Sequence, residues 1–469
     1  MNSKTNIQKL QADVHQALRL WHKDNFGQSP IDYLYVFQKG LLEGLSISQA
    51  NNKVLLNALT LMPDNEVDYP TLLRRRFLDR DSVQFVAEEF TVAKSTLFRF
   101  QSDAINSLSE VINLMEKEAL AEREIVLNQR VGPPSYVHLV GVDEHLARLT
   151  NLLVSPGSPW IIVLEGLGGI GKTTLAEALL RQINEQNSFY DFGWIRARRS
   201  ILNTDGPFRI VNKPLLTKEL LMEQLVDQLT NFSLASMSLH DGFRALVARV
   251  KRAPHLIVID NLETAFDIQT LLPTLRRLIA PSKIVLTTRE GLPAEADVSR
   301  FTVPQLSRTY ADQLIRQEAN LGNVAHLSKV SEEQLGRIYD TVGGNPLALR
   351  LVVGQTQIHN LDLVLKDLMR ARGDEADHLY THVYRRAWDN LDEEARITFL
   401  SMPLVIARGG SFDFLKAISG LGGFELTRAL EHLVHLNLVE VRGGGLSARK
   451  YAIHQLTRTF LQEQVAKWH

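Results

Sequence analysis

A glycine-rich stretch over residues 166–174 carries the most specific chemistry in the sequence. Gly166, Gly171, Lys172 and Thr173 match the pattern G-x-x-x-x-G-K-[ST], between an apolar run and a good helix former. Such a loop points successive backbone N–H groups at a phosphate, and the N-terminus of the following helix adds a positive partial charge. The lysine would reach the β- and γ-phosphates, and the threonine hydroxyl would hold Mg²⁺, a hard cation that prefers oxygen ligands. The alternative is a ligand-free glycine turn, which the order of strand, loop and helix disfavours. The residues expected to contact a nucleotide in this stretch are Gly166, Gly168, Gly169, Ile170, Gly171, Lys172, Thr173 and Thr174.

Charged residues at the ends of two later apolar runs complete the predicted site. Asp260 ends the run 256–259, and a parallel sheet gathers the carboxyl ends of its strands at the ligand. We expect Asp260 to hold the water shell of Mg²⁺ and Glu263 to orient or deprotonate the attacking water. An exposed glutamate that opens the next helix would look the same as Glu263. Arg289 follows the run 283–288, where an arginine can contact a γ-phosphate.

The composition excludes several other classes of chemistry. Among 469 residues, 52 Lys and Arg stand against 53 Asp and Glu, so no bulk charge drives binding to nucleic acid or to anionic membranes. The sequence has no cysteine, which excludes disulfides, thiolate metal ligands and cysteine nucleophiles. No apolar run approaches the roughly 20 residues that span a bilayer, and the polar start is unlike a signal peptide. The sequence therefore predicts a cytoplasmic protein of several domains with no membrane partner.

Residues 1–130 have the apolar spacing of an all-helical domain. Within it, the segment at about 70–122 resembles the DNA-binding helix-turn-helix of sigma factors. Thr91 stands where the turn usually has glycine, so this turn must accept a strained or rearranged backbone. The alternative is a trihelical adaptor that binds protein with the same geometry. The predicted DNA contacts are Lys94, Ser95, Thr96 and Arg99.

The segments after the loop region indicate two further domains. A helical pattern runs from Tyr310 to about Arg370. Later helical segments are followed by a hairpin pattern over 438–453 with a glycine-rich tip, as in a winged helix. The predicted fold is an all-α N-terminal helix-turn-helix domain (1–130), an α/β P-loop NTPase domain with a parallel sheet (131–302), a small helical domain (303–375) and a winged-helix domain (376–469).

The order of these features resembles the NB-ARC group of signal-transduction ATPases over roughly residues 136–469. That group has, in sequence, a Val-Gly linker, a phosphate loop, a strand tryptophan, an acidic strand, a Thr-Thr-Arg sensor, a Gly-x-Pro motif and a winged-helix histidine motif. In this sequence they fall at Val140-Gly141, 166–174, Trp194, Asp260, Thr287-Thr288-Arg289, 343–349 and 451–454.

The resemblance implies further nucleotide contacts. The residues that it assigns are Val140, Gly141, Val142, Pro346, Leu347 and His454. Val140 and Val142 would flank the adenine, and Pro346 would close on it from the helical domain. The histidine would touch the β-phosphate of ADP and hold a closed state. A histidine on an apolar strand is usually a core residue, so this role depends on its place in the motif series.

The sequence departs from the family pattern at three positions. Val142 stands where the family often has arginine, and Gln455 follows the histidine where aspartate is frequent. Asn261 stands where plant members have a second aspartate, which argues against rapid ATP hydrolysis. We therefore expect a slow ATPase.

The resemblance implies a molecular switch with ATP, ADP and Mg²⁺ as ligands. ADP would hold the nucleotide-facing domains closed, and exchange for ATP would free the winged helix and permit self-assembly into oligomers. The helix-turn-helix would be the output, in transcription control or a nucleic-acid-linked defence response. The alternative function is a DNA-loading ATPase of origin or transposition type that grips duplex with both DNA-binding domains. The family's C-terminal sensor repeats have no counterpart here, so the chain is cut, or sensing lies in a partner or in residues 1–130.

Overall fold

The structure of the chain is a computed structural model that divides into two compact units. The first unit comprises residues 1–129, 183–192 and 229–255, and the second comprises 130–182, 193–228 and 256–469. The structure describes all residues except 1–2, 25, 65, 137, 198–215, 231–237, 263–264, 290–296, 322–330, 357–359, 371–383, 385–386, 389–390, 406–408, 443–448, 455–456, 459 and 462–469.

The N-terminal segment is helical, as its periodicity predicts. Its helices are α1 (Ser3–Arg19), α2 (Tyr35–Leu42), α3 (Ile47–Thr60), α4 (Tyr69–Leu73), α5 (Val83–Glu89) and α6 (Lys94–Val131), with a π-helical turn at Arg74–Leu78. Leu10, Val14 and Leu18 of α1 are buried, because spacings of three and four residues place them on one stripe of the helix. Thr91, between α5 and α6, has a φ of 54°, in agreement with the strain predicted for that turn.

A five-stranded sheet forms the centre of the nucleotide-binding region. Its strands are β1 (Ile161–Glu165), β2 (Asp191–Arg196), β3 (His255–Leu262), β4 (Lys283–Thr288) and β5 (Val298–Thr302), in the order β2-β3-β4-β1-β5. β1 pairs in parallel with β4 and β5, and β3 pairs in parallel with β4. All five residues of β1 and all six of β4 are buried, which fits continuous apolar strands covered on both faces. The predicted parallel α/β sheet is confirmed.

Helices connect and follow the strands. They are α7 (Asp143–Val154), α8 (Lys172–Glu185), α9 (Lys218–Leu229), α10 (Leu239–Arg252), α11 (Ala265–Leu275), α12 (Arg308–Leu321), α13 (Glu332–Val342), α14 (Pro346–Gln355), α15 (Leu361–Arg370), α16 (Glu393–Ser401), α17 (Phe412–Ser419) and α18 (Gly423–His435). β6 (Glu440–Arg442) and β7 (Lys450–Ala452) then form an antiparallel pair. Within the described part of the chain, every helix falls short of the length and apolarity that crossing a bilayer requires.

One hydrophobic cluster joins the helices after β5 to the final hairpin. It extends from Ala311 to Leu461 and includes the fully buried Phe399, Leu415 and Leu433. The predicted boundary near residue 375 falls inside this cluster. The residues on either side of it therefore share one core.

Candidate functional site

The phosphate loop lies between β1 and α8. Its glycines take backbone conformations that other residues rarely adopt, with φ of 152° at Gly166, 74° at Gly169 and 101° at Gly171. A Cβ added at Gly171 would meet no atom of the described residues within 4 Å, so the loop is open on that side. The loop geometry therefore fits a phosphate cradled by backbone N–H groups at the N-terminus of α8.

Lys172 is the partly buried cation of the loop. Its Nζ donates hydrogen bonds to the carbonyl oxygens of Gly166 at 2.7 Å and Leu167 at 2.8 Å. Burial lowers the pKa of Lys172 to about 8; the charge of Arg289 lowers it further, and Asp260 opposes the shift. An anion at the loop would relieve this penalty, so the site favours a negatively charged ligand.

Asp260 is held by hydroxyl groups from two other elements. Thr173 and Thr287 each donate a hydrogen bond to Asp260 Oδ1 at 2.7 Å. The backbone N–H of Asn261, which has a φ of 70°, donates to Thr287 Oγ1 at 2.7 Å. A hydroxyl and a carboxylate beside a phosphate loop form a donor set that suits Mg²⁺, which takes few protein ligands and keeps phosphate oxygens and waters. Among the described residues, no group of three or more His, Asp or Glu side chains could hold a metal ion alone.

Arg289 follows β4 and is partly exposed. Its charge acts on the pKa of both Lys172 and His454, so it belongs to the same site. Glu263, the predicted base, lies outside the described residues.

Two charged groups at the carboxyl edge of the sheet were not assigned from the sequence. Arg196, at the end of β2, has its Nε 3.7 Å from Asp260 Oδ2. Glu165, at the end of β1, makes a bidentate pair with Arg300, with distances of 2.9 and 2.8 Å, and accepts a hydrogen bond from Thr302 at 2.8 Å. The hydrogen bond from Arg300 is the main reason that the pKa of Glu165 is lowered. The position of each residue at a strand end was the available sequence signal.

The helical segment contacts the phosphate loop directly. The Leu347 N–H at the start of α14 donates to Gly169 O at 3.3 Å, and Asn345 Nδ2 donates to Gly168 O at 2.9 Å. Pro346 is the first residue of α14, where proline is favoured because that N–H has no helical partner. Of the predicted pair Pro346 and Leu347, the leucine therefore reaches the loop, and Asn345 adds a contact that the motif did not predict.

The other predicted nucleotide contacts are in the loop, in the first turn of α8 and in the segment that leads into α7. Val140 is buried, and Val142 precedes α7. Gly141 has a φ of 69°, and a Cβ there would come within 2.7 Å of the Tyr310 ring, so packing against α12 requires a glycine. Ile170 is buried, and Thr174 lies partly exposed in the first turn of α8.

His454 follows β7 within electrostatic reach of the loop. Burial lowers the pKa of His454 to about 4; the carboxylate of Glu440 opposes the shift, and the charges of Lys172 and Arg289 add to it. Burial would raise the pKa of Glu440, but nearby cations, Arg442 first, lower it overall. Arg442 Nη2 donates to Glu440 Oε2 at 2.9 Å. The imidazole is therefore neutral at physiological pH beside a charged carboxylate.

The predicted DNA contacts lie in the first two turns of α6. Lys94 and Arg99 are exposed, with Lys94 Nζ 3.2 Å from Gln84 Oε1 and the Arg99 guanidinium over the Phe100 ring. Ser95 is exposed and Thr96 is partly exposed. The helix-turn-helix and its DNA contacts stay a prediction.

Comparison with known proteins places the nucleotide-binding segment in a family. Residues 138–287 match the family model of the AAA ATPase domain. A disease resistance-like protein of Arabidopsis thaliana, DSC1, is 24% identical over 380 residues, which cover 77% of this chain and 29% of that protein. TMV resistance protein N of Nicotiana glutinosa is 25% identical over 289 residues, covering 60% of this chain and 24% of that protein.

The chain is also similar to a solved structure. A STAND protein with a tetratricopeptide repeat sensor from Pyrococcus horikoshii is 18% identical, with a TM-score of 0.43, over 71% of this chain and 44% of that chain. The domain match, the motif series and the resistance-protein relatives support a P-loop ATPase of the NB-ARC, or STAND, type. The chain spans only 24 to 29% of the length of the two curated relatives named above.

Proposed function

We propose that the chain is a switch controlled by ATP and ADP, in which the nucleotide at the phosphate loop sets the position of the helical segment and the final hairpin. The observation that carries the proposal is that α14 begins directly on the loop, at Leu347 and Gly169. A ligand that changes the conformation of the loop therefore changes the surface against which α14 packs. Differential contacts of this kind are what a ligand needs to shift a conformational equilibrium.

In this proposal the residues of the site have separate tasks. The loop N–H groups and the Lys172 ammonium bind the phosphates. Thr173 and Asp260 hold Mg²⁺, and Arg289 contacts the γ-phosphate. Bound Mg²⁺·ATP supplies the scissile phosphoanhydride and the cation that neutralises its charge. Because Asn261 stands in place of a second carboxylate, hydrolysis is slow and serves to reset the switch.

The closed state in this proposal depends on His454. A neutral imidazole near Lys172 can donate a hydrogen bond to a phosphate of ADP without adding charge. Exchange of ADP for ATP then releases the hairpin and permits self-assembly. The N-terminal helices deliver the output in signalling of the defence type that the relatives' names indicate.

DNA loading is the less supported function. On the predicted DNA-binding segment, Arg75 is already engaged by carboxylates, with Asp81 at 3.5 Å and Glu89 at 3.2 Å. The same segment also carries two exposed phenylalanines, Phe85 on α5 and Phe98 on α6. A surface of this composition suits a protein partner at least as well as a phosphate backbone.

The test compares nucleotide binding by the wild-type chain with binding by Lys172→Ala. Both affinities are measured by titration with fluorescent mant-ADP. Removal of the ammonium should weaken binding on the order of tenfold or more, because a charge-assisted hydrogen bond contributes roughly 1.5–3 kcal/mol. Lys416→Ala, at an exposed lysine of α17, is the matched control and should bind as the wild type does. Equal affinities for the wild type and Lys172→Ala would contradict the proposal.

A further inference from the structure

Asn345 makes hydrogen bonds in two directions from one buried side chain. Its Oδ1 caps α14 by accepting from the N–H groups of Leu347 at 3.1 Å and Ala348 at 3.3 Å. Its Nδ2 donates to Gly168 O in the phosphate loop at 2.9 Å. An asparagine N-cap needs only its oxygen. The amide nitrogen is therefore available for a second hydrogen bond, which it donates to the phosphate loop.

The loop is shaped to receive this contact. At Gly169, a Cβ would come within 2.8 Å of Leu347 Cβ and 3.1 Å of Asn345 Oδ1. Gly169 is not one of the fixed positions of the phosphate-loop pattern. Its φ of 74° and the close approach of α14 both require glycine here. The third glycine of the loop thus serves the docking of α14.

The contact also orients a loop peptide. In a planar trans peptide, the C=O of Gly168 and the N–H of Gly169 point in opposite directions. When Asn345 holds the carbonyl, it turns the next N–H away from α14. Loss of the amide donor would leave this peptide free to rotate.

The other end of α14 packs against the segment that leads to the hairpin. A Cβ at Gly354 would collide with the carbonyl oxygen of Leu436. Asn437 Nδ2 donates to Arg350 O at 2.8 Å. β6 begins three residues later at Glu440, whose pKa is affected by the charges of Arg350 and His454. A short helix therefore connects the loop at one end to the hairpin segment at the other.

We propose that Asn345 is a positioning residue that latches α14 to the phosphate loop and couples the state of the loop to the hairpin. This inference rests on the proposed nucleotide switch and names its coupling element. The latch retains ADP because it holds the Gly168–Gly169 peptide in one orientation. Opening of the latch moves α14, and with it the contact at Leu436.

The test separates latching from capping. Asn345→Ser keeps an N-cap oxygen and adds no charge, but its side chain carries no amide to reach Gly168 O. Asn345→Asp also keeps the cap and replaces the donor with an acceptor. Ser331→Ala is the matched control, because Ser331 Oγ caps the neighbouring helix α13 by accepting from Gln334 N at 3.3 Å without contacting the loop.

Two measurements decide the outcome: the release rate of mant-ADP by stopped flow, and hydrogen exchange of residues 166–171 in the nucleotide-free chain. We expect Asn345→Ser to release mant-ADP about fivefold faster, the factor of one neutral hydrogen bond, and to exchange faster in the loop. Ser331→Ala should change neither. If Asn345→Ser does not fold, Asn345→Asp supplies the hydrogen-exchange comparison in the nucleotide-free chain, where its added charge does not act on a bound phosphate.

The latch would be overturned if Asn345→Ser released mant-ADP, and exchanged loop hydrogens, at the same rates as Ser331→Ala. If the wild type binds no mant-ADP, the proposed switch fails, whereas the exchange comparison still tests the latch. The failures of the two proposals are therefore distinguishable.

Discussion

The Lys172 ammonium donates hydrogen bonds to backbone carbonyl groups of the phosphate loop. Its Nζ contacts Gly166 O and Leu167 O, and burial holds its pKa at about 8. A bound phosphate would stabilise the charged form and raise this pKa. Nucleotide binding is therefore linked to protonation of one lysine.

This linkage predicts that nucleotide affinity falls as the pH rises above 8. Below that pH, Lys172 is already protonated in the free protein, so binding takes up no proton from it. Above it, the free lysine is largely neutral and binding must take up a proton, so Kd should increase up to about tenfold per pH unit. The measurement is the Kd of mant-ADP between pH 7.5 and 9.5.

Lys172→Arg provides the control for the pH series. A guanidinium keeps its proton throughout this range, so its Kd should be weaker but flat. A flat profile in the wild type would refute the depressed lysine pKa as a feature of binding.

Individual residues differ in how far the sequence predicts them. Thr173 and Asp260 are 87 positions apart, yet the loop pattern and the strand end predicted both, and their hydrogen bond is present. Asn345 and Gly168 are 177 positions apart, and no local pattern pairs an N-cap with a loop carbonyl. Glu165 and Arg300 belong to separate strands that become neighbours only in the folded sheet. Contacts between residues that only the tertiary fold brings together cannot be predicted from local sequence patterns.

Helix α6 is the element that ties together the first unit. Arg123, near its end, is buried and donates to Asn184 Oδ1 at 2.6 Å, to Asn187 Oδ1 at 3.2 Å and to Phe189 O at 2.7 Å. Its guanidinium also lies 4.7 Å from the centre of the Tyr35 ring. Asn184 lies in the last turn of α8, the helix that begins at Lys172.

Arg123→Ala should therefore destabilise the chain strongly. The substitution leaves Asn184 Oδ1 and Phe189 O without this donor, at about 1–3 kcal/mol for each buried group. We expect a loss of roughly 2–5 kcal/mol in the free energy of unfolding, measured by denaturation in urea.

Glu122→Ala tests the same helix one residue earlier. Glu122 is exposed and forms a surface ion pair with Lys39 at 3.6 Å, so its loss should cost less than about 1 kcal/mol. Equal effects of the two substitutions would show that Arg123 has no special role in the first unit.

At the scale of secondary-structure elements, the sequence predicted the order and type of the elements better than the residues at which they begin and end. The strand, phosphate loop and helix occur as expected because apolar period and glycine spacing determine them. α6 ends at Val131, one residue past the predicted end of the N-terminal domain at residue 130. A difference of this size is within the variation of helix ends.

At the scale of the whole molecule, the second unit places the loop, the helical segment and the hairpin in one compact body. The single cluster from Ala311 to Leu461 packs residues of the helical segment and of the hairpin into one core. A nucleotide switch in this chain would therefore act mainly between the loop and that shared core. The boundary near residue 375 stays a prediction, and sequence patterns carry no information on whether the cores of neighbouring segments merge.

The measurement that tests this account most directly is hydrogen exchange of the full chain with ADP and with a non-hydrolysable ATP analogue. Each ligand is added at a concentration that just saturates the wild type, and Lys172→Ala serves as the control whose ligand effect should be reduced because it binds more weakly. The account predicts slower exchange with ADP than with the analogue in α14 (Pro346–Gln355) and over residues 449–454. Identical exchange of both segments in the two nucleotide states would contradict it.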